Sequence, residues 1–313
     1  YLIDVNNEKT VRKSSKKPIE IIRNLNNAVD YLTGSDGKIR FIVTREYDEN
    51  EEKFTFGYWF LHPDISEWKK IFSAKTDTYS LPHNPVFISN DYKFIYVLTN
   101  EYSDKAGIHQ YSTTDFNYDG IFYENNQIEI TSLHVSDNSH EILGMYHVEN
   151  GFHKIHYISN ENDSLKQLRS KYPNHNFYIA QNNEEINKIL VYGTNEYSKG
   201  SWSIYDTKSH QIEKLFETNP DYNKLQKGQF NIVKIKTEDN LTLEGYLVLP
   251  ESLQKTQFPL VVIPHGGPIG VRDYAYNNDI QHFYASQGIA SLKVNYRGSS
   301  GYGKKFQESG KME

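Results

Sequence analysis

The chain has 313 residues, with no cysteine, two methionines and three tryptophans. The absence of cysteine excludes disulfide bonds, thiolate metal sites and a cysteine nucleophile. It leaves the cellular compartment open, because a core of this size does not need disulfides on either side of a membrane.

The chain also lacks an excess of positive charge and any long apolar run. Its 34 Lys and Arg residues are outnumbered by 40 Asp and Glu residues, for a net charge of -6. Without a basic field to hold a phosphate backbone, nucleic acid is not predicted as a partner. No apolar run approaches the roughly 18 residues of a membrane helix, so no membrane partner is predicted either.

Aromatic residues are abundant, with 25 Tyr and 16 Phe, and they indicate strands. Four polar turn clusters each precede a β-rich run, which we interpret as the first strand of a repeating unit. The clusters are residues 33–38, 89–93, 136–140 and 182–184. Later strands of the four units carry Tyr58, Ile108, Ile155 and Trp202, which stand 50, 47 and 47 residues apart.

This spacing matches the roughly 40 to 50 residues of a four-stranded propeller blade. A sandwich of two sheets would also contain many short strands, but it predicts no constant spacing. Residues 1–12 look like the outer hairpin of a preceding blade. We therefore predict a mainly β fold in which residues 1–220 form part of a β-propeller, about four to five blades and incomplete at its N-terminus.

The composition changes near residue 220, and residues 221–230 are predicted to be a linker. Residues 231–313 then carry a different pattern. It consists of a hairpin over 229–249, an apolar strand over 259–264 of the kind buried on both faces, a helix over 273–287 capped by Gly288, and a strand over 289–294. The order strand, helix, strand predicts an α/β sheet.

The motif His265-Gly266-Gly267-Pro268 follows the predicted buried strand and leads toward the helix. Glycine lets the backbone approach a substrate, and exposed N–H groups at this edge can stabilise the oxyanion of an acyl-transfer reaction. Taken alone, the same residues also fit a tight turn with no chemical role.

A second motif, Asn295-Tyr296-Arg297-Gly298-Ser299-Ser300-Gly301-Tyr302-Gly303, follows the next strand. Together with the first motif it resembles the prolyl oligopeptidase family of serine peptidases, in particular its acylaminoacyl-peptidase and dipeptidyl-peptidase-like branch. The resemblance runs from Ile232 to about Phe306. It implies an α/β-hydrolase domain capped by a propeller, a peptide substrate and no cofactor.

The resemblance also implies roles for individual residues. Gly267 would supply an oxyanion-hole N–H, with Gly266 and His265 shaping the loop. Some relatives carry a tyrosine hydroxyl donor where His265 stands, so the backbone amide is the expected donor. Loop-shaping roles near the site are expected for Pro268, Arg297, Gly298 and Tyr302. For Arg297, a salt bridge holding the loop is favoured over substrate contact.

No Gly-x-Ser-x-Gly elbow occurs in the chain, and Gly298-Ser299-Ser300-Gly301 has the wrong spacing to be one. The family order would place the Ser, Asp and His of the triad beyond Glu313, so the hydrolase domain is expected to be truncated and the chain inactive alone.

Other interpretations remain open. The parent protein could be a peptide- or protein-binding propeller with a degenerate hydrolase remnant, or an esterase, and both a monomer and an oligomer remain open. Four crowded histidines, His140, His147, His153 and His156, lack a metal-binding pattern and are expected to be solvated or hydrogen-bonded. The acidic run over 48–52 is expected at a solvated hairpin tip, although it could bind the amino group of a peptide.

Overall fold

The structure is a computed structural model, and it describes residues 2–4, 9–11, 27–77, 81–136, 140–158, 163–173, 175–183, 187–251, 257–267, 269–276 and 278–312. The chain divides into two compact units. The first comprises Tyr1–Thr99 and Ile108–Phe122, and the second comprises Asn100–Gly107 and Tyr123–Glu313. The predicted linker at 221–230 lies inside the second unit, where Pro220–Lys224 form a 3₁₀ helix. The domain boundaries derived from the sequence stay predictions.

The first unit contains two antiparallel four-stranded sheets with neighbouring strands in chain order. One sheet consists of β3 (Ala28–Thr33), β4 (Ile39–Asp48), β5 (Lys53–Phe60) and β6 (Lys69–Thr76). The other consists of β7 (Asn84–Ile88), β8 (Phe94–Thr99), β9 (Gly107–Ser112) and β10 (Tyr118–Tyr123); Gly107 and Tyr123 are themselves counted in the second unit. A hairpin of β1 (Leu2–Asp4) and β2 (Lys9–Val11) precedes them in the chain.

Inward-facing side chains of neighbouring strands form the core of the first unit. The side chains of Phe41 and Val43 on β4 and of Phe56, Tyr58 and Phe60 on β5 are buried in one cluster. Tyr58 stacks on Phe72 with ring centroids 4.1 Å apart. Burying such aromatic side chains contributes roughly 1.5–3 kcal/mol each. The acidic run occupies the β4–β5 turn and is exposed, apart from half-buried Asp48.

The second unit contains two further sheets of the same kind. One has three described strands, β11 (Ile130–Val135), β12 (Ile142–Glu149) and β13 (Phe152–Tyr157). The other has β14 (Asn176–Asn183), β15 (Lys188–Asn195), β16 (Ser198–Asp206) and β17 (Ile212–Glu217). Helix α1 (Asp163–Lys171) separates them in the chain, and its Leu168 packs into a core cluster with Ile189, Val191 and Tyr205.

The predicted repeat is confirmed: Tyr58, Ile108, Ile155 and Trp202 all lie on the third strand of a sheet. The strand order within a unit was predicted wrongly. The turn clusters lead into second strands, because each sheet has an earlier strand. In the first sheet this earlier strand, β3, is mostly exposed and gives little apolar signal. Residues 137–139 and 184 of the turn clusters lie outside the described residues.

The α/β part of the second unit is a mixed sheet in the order β18, β19, β21, β20. Its strands are β18 (Gln229–Lys236), β19 (Thr242–Leu249), β20 (Leu260–Val262) and β21 (Ala290–Asn295). Strands β20 and β21 are parallel and are connected through α2 (Asp279–Ser286), as the sequence predicted. Helix α3 (Lys304–Glu308) and a 3₁₀ helix (Ser309–Met312) follow.

Two details of this part differ from the prediction. The apolar strand is not buried on both faces, since Leu260 and Val262 are 52% and 56% exposed. The reason is that β20 is the outermost described strand of its sheet, while α2 packs against β19 and β21. In addition, the helix begins at Asp279 rather than at residue 273. Its C-terminal cap is confirmed, because Gly288 has a φ of +79° and donates its N–H to the Ala285 carbonyl.

Candidate active site

The loop after β20 exposes two glycines, Gly266 and Gly267. Gly267 has a φ of +141°, a conformation that L side chains rarely adopt, and a Cβ on Gly266 would meet no atom within 4 Å. No acceptor for either N–H is found in the described part of the chain. The loop therefore has room for a ligand and two amides available to an anion. Pro268 lies outside the described residues.

His265 is held inside this loop rather than directed toward a ligand. Its ring stacks on Tyr296 with centroids 4.4 Å apart and an angle of 16° between the planes. The Tyr296 hydroxyl donates to the His265 carbonyl at 2.6 Å. The imidazole Nδ1 lies 2.8 Å from the Gly266 carbonyl oxygen. These contacts fix the entrance of the loop to the segment that follows β21.

The second ring nitrogen of His265, Nε2, lies 2.9 Å from Ser299 Oγ. This distance resembles that of a nucleophile and its base, but the surroundings differ. Ser299 is fully buried, and its hydroxyl donates to the Tyr296 carbonyl at 2.6 Å. Nδ1 faces a carbonyl where a catalytic base would face an orienting carboxylate. The pair therefore connects two loops and gives a substrate no access to the hydroxyl.

Gly298 joins the same two loops through its backbone. Its carbonyl accepts a hydrogen bond from the Gly270 N–H at 2.9 Å, and its own N–H donates to the Phe306 carbonyl at 3.0 Å. The φ of Gly298 is +95°, which suits glycine. The neighbouring Ser300 N–H donates to the Val271 carbonyl at 3.1 Å. Both motifs thus form one hydrogen-bonded structure.

Arg297 pairs with Asp239, in the turn between β18 and β19. Its Nη2 lies 3.1 and 3.2 Å from the two carboxylate oxygens, and the Arg297 side chain is 24% exposed. A hydrogen bond from Thr237 and the Arg297 guanidinium lower the pKa of Asp239 below its ordinary value. The arrangement anchors the loop to the hairpin.

A buried polar cluster beneath the loops was not anticipated from the sequence. Tyr246 and Tyr302 donate to Glu244 Oε1 at 2.8 and 3.0 Å. Arg272 Nη2 donates to the Tyr302 hydroxyl at 2.9 Å, and Asn295 Nδ2 does so at 2.8 Å. The cluster connects β19 and β21 with the segment that leaves the glycine loop. The sequence holds one indication of this cluster, because Glu244 lies on the same inward-facing side of β19 as Tyr246 and Val248, where a carboxylate needs a buried partner.

The charges of this cluster are set by its burial and its partners. Burial alone would raise the pKa of Glu244, but hydrogen bonds from Lys234, Tyr246 and Tyr302 hold it below its ordinary value. Burial raises the pKa of both tyrosines. Glu244 is therefore an anion at neutral pH, and it faces the Lys234 ammonium at 2.5 Å and the buried Arg272 guanidinium at 3.5 Å.

Two acidic residues elsewhere in the second unit, Asp104 and Glu129, bind the segment after Tyr302. Gly303 N–H donates to Glu129 Oε2 at 2.6 Å. The Asp104 carbonyl accepts from the Lys304 N–H at 2.7 Å, and Asp104 Oδ1 accepts from the Lys305 N–H at 2.8 Å. These acceptors satisfy the free N–H groups at the start of α3. Burial raises the pKa of Glu129, although the Gly303 hydrogen bond opposes the shift.

The described residues contain no group of three or more His, Cys, Asp or Glu side chains placed to hold a metal ion. Burial lowers the pKa of His147 and of His153. Among the same residues, no helix is both long enough and apolar enough to cross a membrane.

Three four-stranded sheets and one sheet of three described strands are followed by a mixed sheet with a strand–helix–strand crossover. This order is that of a β-propeller portion joined to the start of an α/β-hydrolase fold. No family model matches the chain. Over 116 residues the chain is 36% identical to dipeptidyl aminopeptidase BIII of Pseudoxanthomonas mexicana, which covers 35% of this chain and 17% of that protein.

Two broader matches agree. Dipeptidyl peptidase family member 6 of Caenorhabditis elegans is 21% identical over 253 residues, 73% of this chain and 34% of that protein. The structure of an acylaminoacyl peptidase from Pyrococcus horikoshii matches with a TM-score of 0.55 and 17% identity, over 90% of this chain and 42% of the other. The resemblance to the prolyl oligopeptidase family of peptidases is confirmed. The chain spans less than half the length of each of these relatives.

Proposed function

We propose that this chain forms part of a serine peptidase that hydrolyses short peptides through an acyl-enzyme, and that the Gly267 N–H stabilises the oxyanion. The observation that carries the proposal is the exposed glycine loop at the end of β20, whose two amides have no acceptor among the described residues. The peptidase relatives support the same reaction class.

Oxyanion stabilisation requires donors that are fixed before the charge develops. The contacts of His265 with Tyr296 and of Gly270 with Gly298 hold this loop at both ends. The open space around Gly266 lets the carbonyl group of a substrate approach the backbone. The loop is therefore suited to bind a tetrahedral intermediate without rearrangement.

The nucleophile and its partners are proposed to come from residues outside this sequence. None of the 313 residues forms a Gly-x-Ser-x-Gly elbow, and Ser299 is buried. An oxyanion hole without a nucleophile cannot form an acyl-enzyme. We therefore expect the chain alone to be inactive.

A fluorophosphonate probe tests this proposal. It should leave the chain unlabelled, and it should label a longer gene product that contains the chain together with a serine elbow. Labelling of the chain itself, or a longer product without an elbow, would contradict the proposal. In the longer product, hydrolysis of aminoacyl-peptides should exceed hydrolysis of simple esters, whereas the reverse preference would indicate an esterase.

The donor role has its own test in the longer product. Gly267→Ala strains a φ of +141° and displaces the amide, so kcat should fall by about 10²- to 10³-fold, as when an oxyanion donor is lost. Gly266→Ala adds a methyl group to open space and should mainly raise KM. A Gly267 variant with unchanged kcat would remove the residue from the mechanism.

A further inference from the structure

A cleft of about 540 Å³ lies within the second unit, beside β12, β13, β14 and α1. Its size falls in the range of roughly 300–1,000 Å³ that is typical of small-ligand sites. Side chains of both hairpin strands, the helix and the following strand line it, among them Tyr146, His153, Lys154, Arg169, Asn176 and Tyr178.

Among the described residues that line the cleft, cations outnumber carboxylates. Lys154 on β13 and Arg169 on α1 are the cations, and Glu149 is the carboxylate. The half-buried Lys154 ammonium donates to the neutral Asn176 Oδ1. Burial lowers the pKa of Lys154 and so opposes its charge; Glu149 acts against this shift, and the positive charge of Arg169 adds to it. An anion bound between the two cations would relieve this cost.

Aromatic rings form the other walls of the cleft. Phe177 and Tyr178 lie on β14, and Tyr146 lies on β12. His153 forms a further wall, and its ring stacks on Tyr274 with centroids 5.0 Å apart. Tyr274 belongs to the segment that leaves the glycine loop. The cleft is thus in contact, through one pair of stacked rings, with the segment that follows the candidate oxyanion loop.

We propose that this cleft binds the carboxylate of an acidic residue in a peptide ligand, between Lys154 and Arg169. The peptide nature of the ligand rests on the proposed function. A guanidinium can bind both carboxylate oxygens, and an ammonium adds a point charge. The aromatic walls suit the methylene groups of a Glu or Asp side chain.

Calorimetric titration of the chain with two capped tetrapeptides tests the site. Acetyl-Ala-Ala-Glu-Ala-amide should bind at least tenfold more tightly than the same peptide with Gln in place of Glu. Lys154→Met and Arg169→Met should each remove at least tenfold of the affinity for the Glu peptide. The matched control Lys208→Met, in the exposed turn between β16 and β17, should leave the affinity unchanged.

The variants must first show the circular dichroism spectrum of the unaltered chain. If Lys154→Met does not fold, Lys154→Gln replaces it, because Gln keeps a donor for Asn176. Equal affinity for the two peptides, or a preference for Glu that survives in both cation variants, would overturn the proposal.

Titration with glutarate and with inorganic phosphate tests which anion the cleft binds. If glutarate binds and Lys154→Met abolishes this binding, while neither peptide binds, the carboxylate site is supported. The same result would overturn the peptide nature of the ligand and with it the link to the proposed function. Inorganic phosphate that displaces the Glu peptide more effectively than glutarate does would overturn the carboxylate assignment. Peptide binding without any effect of the glycine-loop variants on hydrolysis would count against the proposed function alone.

Discussion

Arg272 Nη2 lies 3.5 Å from Glu244 Oε1, and both side chains are almost fully buried, at 4% and 6% exposure. Arg272 follows the glycine loop in the chain, and Glu244 lies in the middle of β19. The pair therefore links the candidate oxyanion loop to the sheet through a buried electrostatic contact. Removing one partner of such a pair leaves an uncompensated charge in the interior, which costs far more than an exposed ion pair contributes.

Glu244→Gln should destabilise the chain by about 3 kcal/mol at pH 7, because it leaves the buried Arg272 guanidinium without its counter-charge. The measurement is the free energy of unfolding from urea titration at constant pH. Lys234→Met is the matched control. Lys234 also contacts Glu244, but it is 57% exposed, so its removal should cost less than about 1 kcal/mol. Equal losses in the two variants would show that Arg272 does not depend on Glu244.

Glu129 should give the chain a distinctive pH dependence. Burial raises its pKa in the folded state above its ordinary value of 4.5. A carboxyl group with a raised folded pKa stabilises the fold fully below its unfolded pKa, and this contribution is lost as the pH rises through the folded pKa. The difference in unfolding free energy between the unaltered chain and Glu129→Gln should therefore decrease as the pH rises from about 4.5.

Urea titrations of both forms between pH 4 and pH 7.5 measure this difference, and all other titrating groups cancel in the comparison. A difference that stays constant, or that increases with pH, would show that Glu129 is not destabilised by burial in the folded chain. The sign distinguishes Glu129 from Glu244, whose lowered pKa predicts the opposite trend.

Gly301 and Gly288 provide a comparison of steric cost at similar backbone angles. Their φ values are +85° and +79°, so alanine is strained at both positions, by roughly 1–2 kcal/mol. At Gly301 the added Cβ would also lie 2.3 Å from Arg272 Nη1, whereas at Gly288 it would meet nothing within 4 Å. Gly301→Ala should therefore lower the unfolding free energy clearly more than Gly288→Ala. Equal losses in urea titration would mean that Arg272 moves aside without cost.

The propeller part was largely predictable because its signals are local. Polar turn residues and alternating strands recur at a blade-length spacing, and each hairpin satisfies most of its own backbone hydrogen bonds. The position of each strand within its sheet was less predictable. An exposed strand such as β3 is paired through its backbone and needs no apolar alternation to be stable.

The helix start could not be predicted because tertiary contacts replace helical ones before Asp279. Asp273 N–H donates to Asn295 Oδ1 at 2.7 Å, and Ala275 N–H donates to the Gly151 carbonyl at 3.0 Å. The buried face of α2 also carries polar groups, since Gln281 Nε2 donates to the carbonyl oxygens of Tyr246 and Ser291 at 2.8 and 3.2 Å. Apolar periodicity contains no information about such partners.

For the candidate site, the sequence identified the two loops but not what holds them together. The glycines at 266, 267 and 298 are visible as motifs, and the positive φ angles of Gly267 and Gly298 favour glycine at those two positions. The contact of Arg272 with Glu244 joins residues 28 positions apart and carries no local pattern. A carboxylate among inward-facing strand residues is a general sign of a buried partner, but it does not identify that partner.

Ser299→Ala should separate a structural role of Ser299 from a nucleophilic one. The substitution removes the hydroxyl that lies 2.9 Å from His265 Nε2 and 2.6 Å from the Tyr296 carbonyl, in a fully buried position. Because buried polar groups lose their partners, the unfolding free energy should fall by about 1–3 kcal/mol. The ¹⁵N signal of His265 Nε2 should shift, since this atom loses its partner.

Ser300→Ala is the control, because the Ser300 hydroxyl has no partner in the described part of the chain. This substitution should change the unfolding free energy by no more than about 0.5 kcal/mol. Fluorophosphonate labelling of the chain that disappears in the Ser299 variant would instead make Ser299 a nucleophile, and it would overturn the interpretation of its contact with His265.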